Sequence, residues 1–407
     1  MPLFDYSFLS KILPKAKIKK GFRKARKSYL NRVRLATSLF FFGMGFCFAT
    51  WASRIPDIKS ALQLSEAALG TLLFAMPIGQ LFAMPFSGKV VTRFGSRTIT
   101  LLGLILYAAC LPLIGLATEK WQLAVGLFLF GLFGNFCNIA VNTQGVYTQQ
   151  LFDKPIIGSF HGSWSLAGFC GALTGLLMLA LELSVFQHFV VAFAFVLVII
   201  ATNQKFIIKA KTKQETEKST YSFWKNPDKN LLLLGVICFC GMASEGIMFD
   251  WSGVYFKEII KAPGALVVLG YTTFMISMAS GRFLSDFLVA RYGARKVLII
   301  SGLVISSGLY TAVLLPYIIP CTIAFMLVGF GVSNVVPIIF NVAGNSKTVP
   351  TGIALTIVTS ISFLGFLMGP PLIGYIAELT SLKHSFAIIG IFGVLVSLLV
   401  WRLKVIK

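Results

Sequence analysis

The sequence predicts an all-α membrane protein: twelve transmembrane helices in two pseudo-symmetric six-helix bundles. Three observations predict it. Hydrophobic residues make up 57% of the 407 positions and charged residues only 12%, too few charges to cover a soluble protein of this length. The apolar residues gather into runs of about twenty, enough for a helix to cross a bilayer. The chain also repeats itself. Trp51 answers Trp251, and Leu69-Gly70 with Phe74 answers Leu269-Gly270 with Phe274, 200 positions on; Arg93-Phe94-Gly95-Ser96-Arg97 answers Arg291-Tyr292-Gly293-Ala294-Arg295, 198 positions on. A duplicated bundle of membrane helices has a natural cleft between its copies.

The elements follow in order. Residues 1–33 form a basic tail that includes Phe4, Tyr6, Phe8, Leu9, Ile12 and Leu13. These allow an amphipathic segment on the membrane surface; the plainer expectation is a disordered extension. Lys and Arg are scattered through the tail before any apolar core begins, so no cleavable signal is expected. Six spans follow, near 34–54, 67–88, 98–117, 121–147, 157–181 and 185–203, and make an N-terminal bundle over 34–203. Residues 204–229 are polar and mixed in charge, with Pro227 near their end, and read as a linker. Six more spans, near 230–256, 265–288, 297–316, 319–345, 351–377 and 384–402, fill a C-terminal bundle over 230–407. The seven cysteines all fall in apolar runs, where they behave as small hydrophobes and imply no disulfide framework.

The net charge of +22 raises the question of nucleic acid, and its placement answers it. Loops on the side of the two termini hold 29 of the 36 Lys and Arg residues, with 11 in the first 34 positions and 7 in the linker. The opposite loops hold Arg54, Lys59, Lys120, Lys257, Lys261 and Lys383, and Arg282 falls within a span. That imbalance predicts cytoplasmic termini, with some attraction to anionic lipid and no nucleic-acid partner. Gly88-Lys89 is followed by Val90 and has no glycine at the earlier position that a phosphate-binding loop needs. His and Cys show no metal-ligand spacing. Neither ATP hydrolysis, a metal nor any cofactor has support, so active transport would run on an ion gradient.

The segment from Gly88 through Arg93, Gly95 and Arg97 resembles the loop signature between the second and third spans of the major facilitator superfamily. The second copy, with Arg291, Gly293 and Arg295, sits between the eighth and ninth spans, where that family repeats it. Helix count, termini and central linker extend the resemblance over the whole chain. Trp51-Ala52-Ser53-Arg54-Ile55-Pro56, Ser159 to Leu166, Asp250-Trp251-Ser252-Gly253 and Gly369-Pro370-Pro371 look like the fucose-permease-like bacterial branch. The signature aspartates are replaced by Thr92 and Ala290. In the family this loop steadies one transport state, which makes these arginines and glycines gating candidates. Arg282 and Asp286, four apart on one helix, are within reach of an ion pair that takes over part of that role.

Several residues are candidates for the transport chemistry. Glu245 lies between the middle and the outer third of the seventh span, with Asp250 nearer its outer end. A carboxylate at such depth normally faces a partner or a wet cavity, so both are proton-coupling candidates. Alternatively, Glu245 ties its helix to a neighbour or touches substrate. It matches Gly45 of the first half and is thus a one-sided addition to the duplicated frame. Asp250, matching Thr50, is placed to bridge to Arg54 across the outer ends of the first and seventh spans; the alternative is two independently solvated charges. Asn138 and Asn142 on the fourth span, and Asn334 and Asn341 on the tenth, mark inward faces that either pack helices or line a cavity. His161 is a relay candidate, although a lone histidine on a helix is more often a structural donor. Trp51, Trp164 and Trp251 suit stacking on a ligand; Trp51 and Trp251 equally suit interfacial anchoring.

Taken together these features point to a secondary active transporter, not an enzyme. It would move a small polar solute by alternating access with proton symport, with lipid, solute and H+ as partners and a monomer as the assembly. The alternatives are proton-linked export of drugs, siderophores or other metabolites and, from another class, a non-transporting receptor or scaffold on a transporter frame.

Overall fold

A computed structural model describes residues 15–152, 156–209, 228–344, 346, 351–403 and 406, with the side chains of 15–25, 157, 158, 286, 351–353, 355 and 356 outside that description. Among the described residues there are no strands. The helices are α1 (Lys15–Ser53), α2 (Ile55–Ala61), α3 (Glu66–Leu73), α4 (Ala75–Phe94), α5 (Ser96–Gly115), α6 (Lys120–Gln149), α7 (Ile157–Ala180) and α8 (Val185–Asn203) in the first half. The second half has α9 (Lys229–Glu258), α10 (Leu269–Tyr292), α11 (Ala294–Leu314), α12 (Ile318–Gly344), α13 (Thr351–Leu379) and α14 (Leu382–Arg402). Among the described residues, twelve stretches are long and apolar enough to cross a membrane.

Two boundaries differ from the sequence reading. The helix of the first span begins at Lys15, so the second part of the tail is not a disordered extension but the start of α1. Lys and Arg are good helix formers, and no proline interrupts them after Pro14. The apolar residues Phe4 to Leu13 lie outside the described residues, as does most of the linker, 210–227. The second span is made of two helices, α3 and α4, that meet at Phe74. Pro77 in the first turn of α4 has no N–H to offer back to Leu73, which breaks the ladder there.

The duplication survives in three dimensions. Within the first half α1 packs closest on α7, α4 on α6, and α5 on α6; in the second half α9 packs on α13, α10 on α12, and α11 on α12. The two signature loops share one backbone: Gly95 has φ 83° and Gly293 φ 81°, a left-handed region that glycine enters without a Cβ clash.

The closest contacts between halves are α13 on α3 and α10 on α7, one repeat-related pairing. The first lies at the end of the bundle far from the termini; the second runs from Gly168 beside Met275, past Ser165 and Arg282, to Gly162 beside Phe283. At that far end α3 and α13 meet through glycines: a Cβ added to Gly70 would sit 2.7 Å from Pro370 O, and one added to Gly374 would sit 2.5 Å from Glu66 O. Gly369-Pro370-Pro371 does not break α13, which runs unbroken to Leu379; Pro370 supplies the carbonyl of this close approach. Nearer the terminal end Asn138, His161 and Asn341 are exposed.

Candidate functional site

An ion pair ties the two halves together near the middle of the bundle. Glu245 on α9 and Arg282 on α10 are neighbours in the second half, and Arg282 Nη2 donates to Glu245 Oε1 at 2.9 Å. The other terminal nitrogen, Nη1, donates to Ser165 Oγ of α7, in the first half, at 3.0 Å. Ser165 Oγ in turn donates to His161 O, one turn earlier on α7. The side chain of Glu245 is 11% exposed and that of Arg282 29%, so the pair is sheltered from solvent yet reachable. A carboxylate and a guanidinium held this way are neutral together, which is what makes either tolerable at this depth.

Of the predicted residues, Glu245, Arg282 and His161 converge here. The expected partner of Arg282, Asp286, has a side chain outside the described residues. Trp164 is partly buried at the edge of the same region, with its ring 6.3 Å from that of Phe48. Phe48 also meets Phe249 of the opposite half edge-on, at 5.2 Å. His161 lies edge-on to Phe41 at 5.4 Å. Asn142 donates its amide to both the backbone and side-chain oxygens of Asn138, which joins the two on one face of α6. Asn341 is exposed on α12.

Other expectations need correction. Trp51 and Trp251 have no exposed surface; they are sealed within the bundles and stand at no interface or open face. Asn334 is buried and donates to Phe330 O one turn back, at 3.1 Å, so it lines no open surface. Asp250 does not bridge to Arg54. It is 3% exposed and its Oδ1 has no partner. Arg54, 2% exposed, spends its donors inside the first half: Nε to His188 Nδ1 at 3.1 Å, Nη1 to Asp57 Oδ2 at 2.9 Å and Nη2 to Leu183 O at 2.9 Å. Asp57 lies only three residues on, a shorter route than a reach across the seam, and α2 turns it back towards Arg54.

The ionic link across the far end is made by other residues. Lys59, nearly buried, sits between Glu66 of its own half, at 3.2 Å, and Glu258 of the opposite half. Lys257 donates to Pro56 O at 3.1 Å and lies 3.9 Å from Asp57. Ala67 N, in the first turn of α3, donates to Glu378 Oε2 of α13 at 3.2 Å, where a carboxylate suits the helix dipole. In the sequence Lys59 and Lys257 stand only as charges of the outer loops; their signal is that so few charges occur on that side at all.

The signature loops act within their own halves. Arg97 Nη2 donates to Gln204 O just past α8 at 3.0 Å, and Arg295 makes the repeat-related bond to Trp401 O of α14. Each places a cation on a helix C-terminus. Arg93 lies over Phe94, and Arg291 over Phe287 and Tyr292. Gly88 faces open space. Gln144, on the same helix as Asn138 and Asn142, binds Ser96 Oγ and the backbone of Ile208, pinning α6 to α5 and to the chain after α8.

Comparison with known proteins gives a consistent picture. The Major Facilitator Superfamily pattern matches residues 35–346 and again 233–406. An uncharacterized MFS-type transporter of Yersinia pestis is 32% identical over 361 residues, covering 88% of this chain and 92% of its own length. An uncharacterized transporter of Sinorhizobium fredii is 29% identical over 363 residues, covering 88% and 95%. Among solved structures, a point mutant of the nucleoside transporter NupG superposes with a TM-score of 0.76 at 14% identity, over 91% of this chain and 99% of that one; at that identity the likeness is one of fold.

Proposed function

The chain belongs to the major facilitator superfamily, and from that premise we propose that it moves a small polar solute by alternating access, with a proton carried on Glu245 in the same direction. One observation carries the reading: the pair between Glu245 and Arg282 is tied through Ser165 to the opposite half. A titratable group in that position can change the relative stability of two arrangements of the halves. Protonating Glu245 removes the charge that holds Nη2, and Arg282 is then free to leave Ser165. Differential binding between two states is what allows a gradient to do work.

In this reading the bundle faces inward. The termini lie in the cytoplasm of a bacterial inner membrane, as the Lys and Arg imbalance implies. The far end, closed by Gly70, Gly374, Lys59 and Glu258, is then the outer gate. The halves rock about the midplane site, and the exposed Asn138, His161 and Asn341 border the inner mouth.

The test uses purified protein in liposomes, with a solute selected by thermal-shift screening of a metabolite library. Wild type accumulates the solute when the outside is made acidic. Glu245→Gln keeps exchange of labelled for unlabelled solute yet loses that accumulation. Flux that ignores pH in both proteins refutes proton coupling.

A further inference from the structure

The charge count at the midplane site has a consequence for the solute itself. This step rests on the proton reading above. With Glu245 ionised, the carboxylate and the Arg282 guanidinium sum to zero, and Arg282 has its two terminal nitrogens engaged. When Glu245 takes up a proton, the carboxylate becomes a neutral acid and the guanidinium keeps its charge. The site is then left with one uncompensated positive charge, largely out of water, with Nη2 freed of its partner.

A neutral sugar or nucleoside does not cancel that charge. A solute with an acidic group does, and a carboxylate can engage the planar fork of a guanidinium through two parallel hydrogen bonds. We propose that the transported solute is a small organic anion whose carboxylate replaces that of Glu245 on Arg282, so that one proton and one monoanion enter together. The empty and the loaded states are then both neutral: the ion pair alone, and protonated Glu245 with guanidinium and bound anion. The state with a proton and no solute is the charged one, and its cost discourages proton leak.

The surroundings fit. Ser165 Oγ stands beside the guanidinium from α7, and its O–H, now donated to His161 O, can turn to donate a hydrogen bond to a bound carboxylate. His161 lies one turn earlier on α7 and is exposed, and Phe41 meets it edge-on. Trp164, half-buried, packs near Phe48, which meets Phe249 of the opposite half; of the three, Trp164 is the one open to the apolar part of the solute. Among the described residues, Cys238 is a further titratable group near Glu245 on α9, while Asp250, with its unpartnered oxygen, and Tyr271 lie near each other towards the far end. Asp286, one turn beyond Arg282 on α10, is the remaining carboxylate of that helix stretch, its side chain outside the described residues.

The test needs no knowledge of the natural solute. Acid and amide pairs of matched shape serve as probes: acetate with acetamide, lactate with lactamide, benzoate with benzamide. Thermal unfolding of the full-length protein in detergent is followed at constant ionic strength. In Glu245→Gln, where the neutral state is fixed, at least one acid raises the midpoint while its amide does not, and the added change Arg282→Gln abolishes the effect. Wild type provides the second measurement should that variant fold poorly: the acid effect is larger in the more acidic of two media, and the amide effect is not. If acids and amides act alike on both proteins, or if the acid effect survives loss of Arg282, the anion assignment falls.

Charge movement in liposomes separates this failure from failure of the proton reading. Uptake of a proton with a monoanion leaves the membrane potential unchanged. Acid-driven uptake of a neutral solute generates a potential, which would sink the anion assignment while leaving the proton reading intact. Acid-over-amide selectivity with no proton movement would sink the proton reading and, with it, the joint entry of proton and anion, leaving only an anion site on Arg282.

Discussion

At the scale of single residues, the contrast between Arg54 and Arg282 is instructive. Both are arginines in an apolar setting, but Arg54 is closed off and fully committed inside one half, whereas Arg282 is partly accessible and divided between halves. Arg54 therefore belongs to stability. Arg54→Ala strands Asp57 and His188 and is expected to lower unfolding stability by about 3 kcal/mol, the usual cost of breaking a buried charged pair, read as a clear fall in the thermal midpoint in detergent. Arg54→Lys retains the charge without the fork and falls between. Ser165→Ala touches the seam instead. It is expected to leave unfolding stability within about 1 kcal/mol of wild type while altering transport; a large loss of stability with unaltered flux would show that Ser165 only packs. Glu245 was legible in the sequence because a carboxylate in a long apolar run stands out. Its partner was not, because spacing along α10 pointed Arg282 to its neighbour on the same helix, and only packing of α9 beside α10 brings Glu245 within reach.

At the scale of elements, glycines decide where helices can meet. The seam between α3 and α13 has no room for a Cβ at Gly70 or Gly374. Gly374→Val is expected to push the far end apart without unfolding either half. A single cysteine introduced on the seam-facing side of α3 should then react faster with a water-soluble maleimide, and unchanged labelling would count against this seam as the closed gate. The signature-loop glycines carry a different constraint. Gly95→Ala and Gly293→Ala each force a side chain into the left-handed region at roughly 1–2 kcal/mol, and similar losses at both sites are expected because the two loops share one backbone. The spans were plain from hydropathy alone. The division of the second span at Phe74 and the extension of α1 back to Lys15 were not, since an apolar run reports depth in lipid and not the continuity of the hydrogen-bond ladder.

At the scale of the whole molecule, the question is what holds one end closed while the other exposes polar side chains. The far end combines a glycine contact, the pair of Lys59 with Glu258, the approach of Lys257 to Asp57 and the bond from Ala67 N to Glu378. A double-mutant cycle of Lys59→Met and Glu258→Gln, scored by far-end labelling, is expected to give a coupling of roughly 0.5–3 kcal/mol, since the pair is partly sheltered and joins the halves. A cycle of Lys59→Met with Asp57→Asn, which are not paired, serves as the reference. Additive behaviour in the first cycle would remove that pair from the gate.

The sequence by itself determined the membrane class, the twelve spans, the duplication and the family, because these depend on composition, run length and repeat spacing, all of which are local properties of the chain. Tertiary structure alone decided which charges meet. Arg54 turned inward to Asp57 and His188, Lys59 reached across to Glu258, and Arg282 took Glu245 and Ser165. In a medium that leaves no charge unpaired cheaply, the partner is whichever opposite group the packing of helices brings within about 3 Å, and that is a property of the bundle rather than of any one segment.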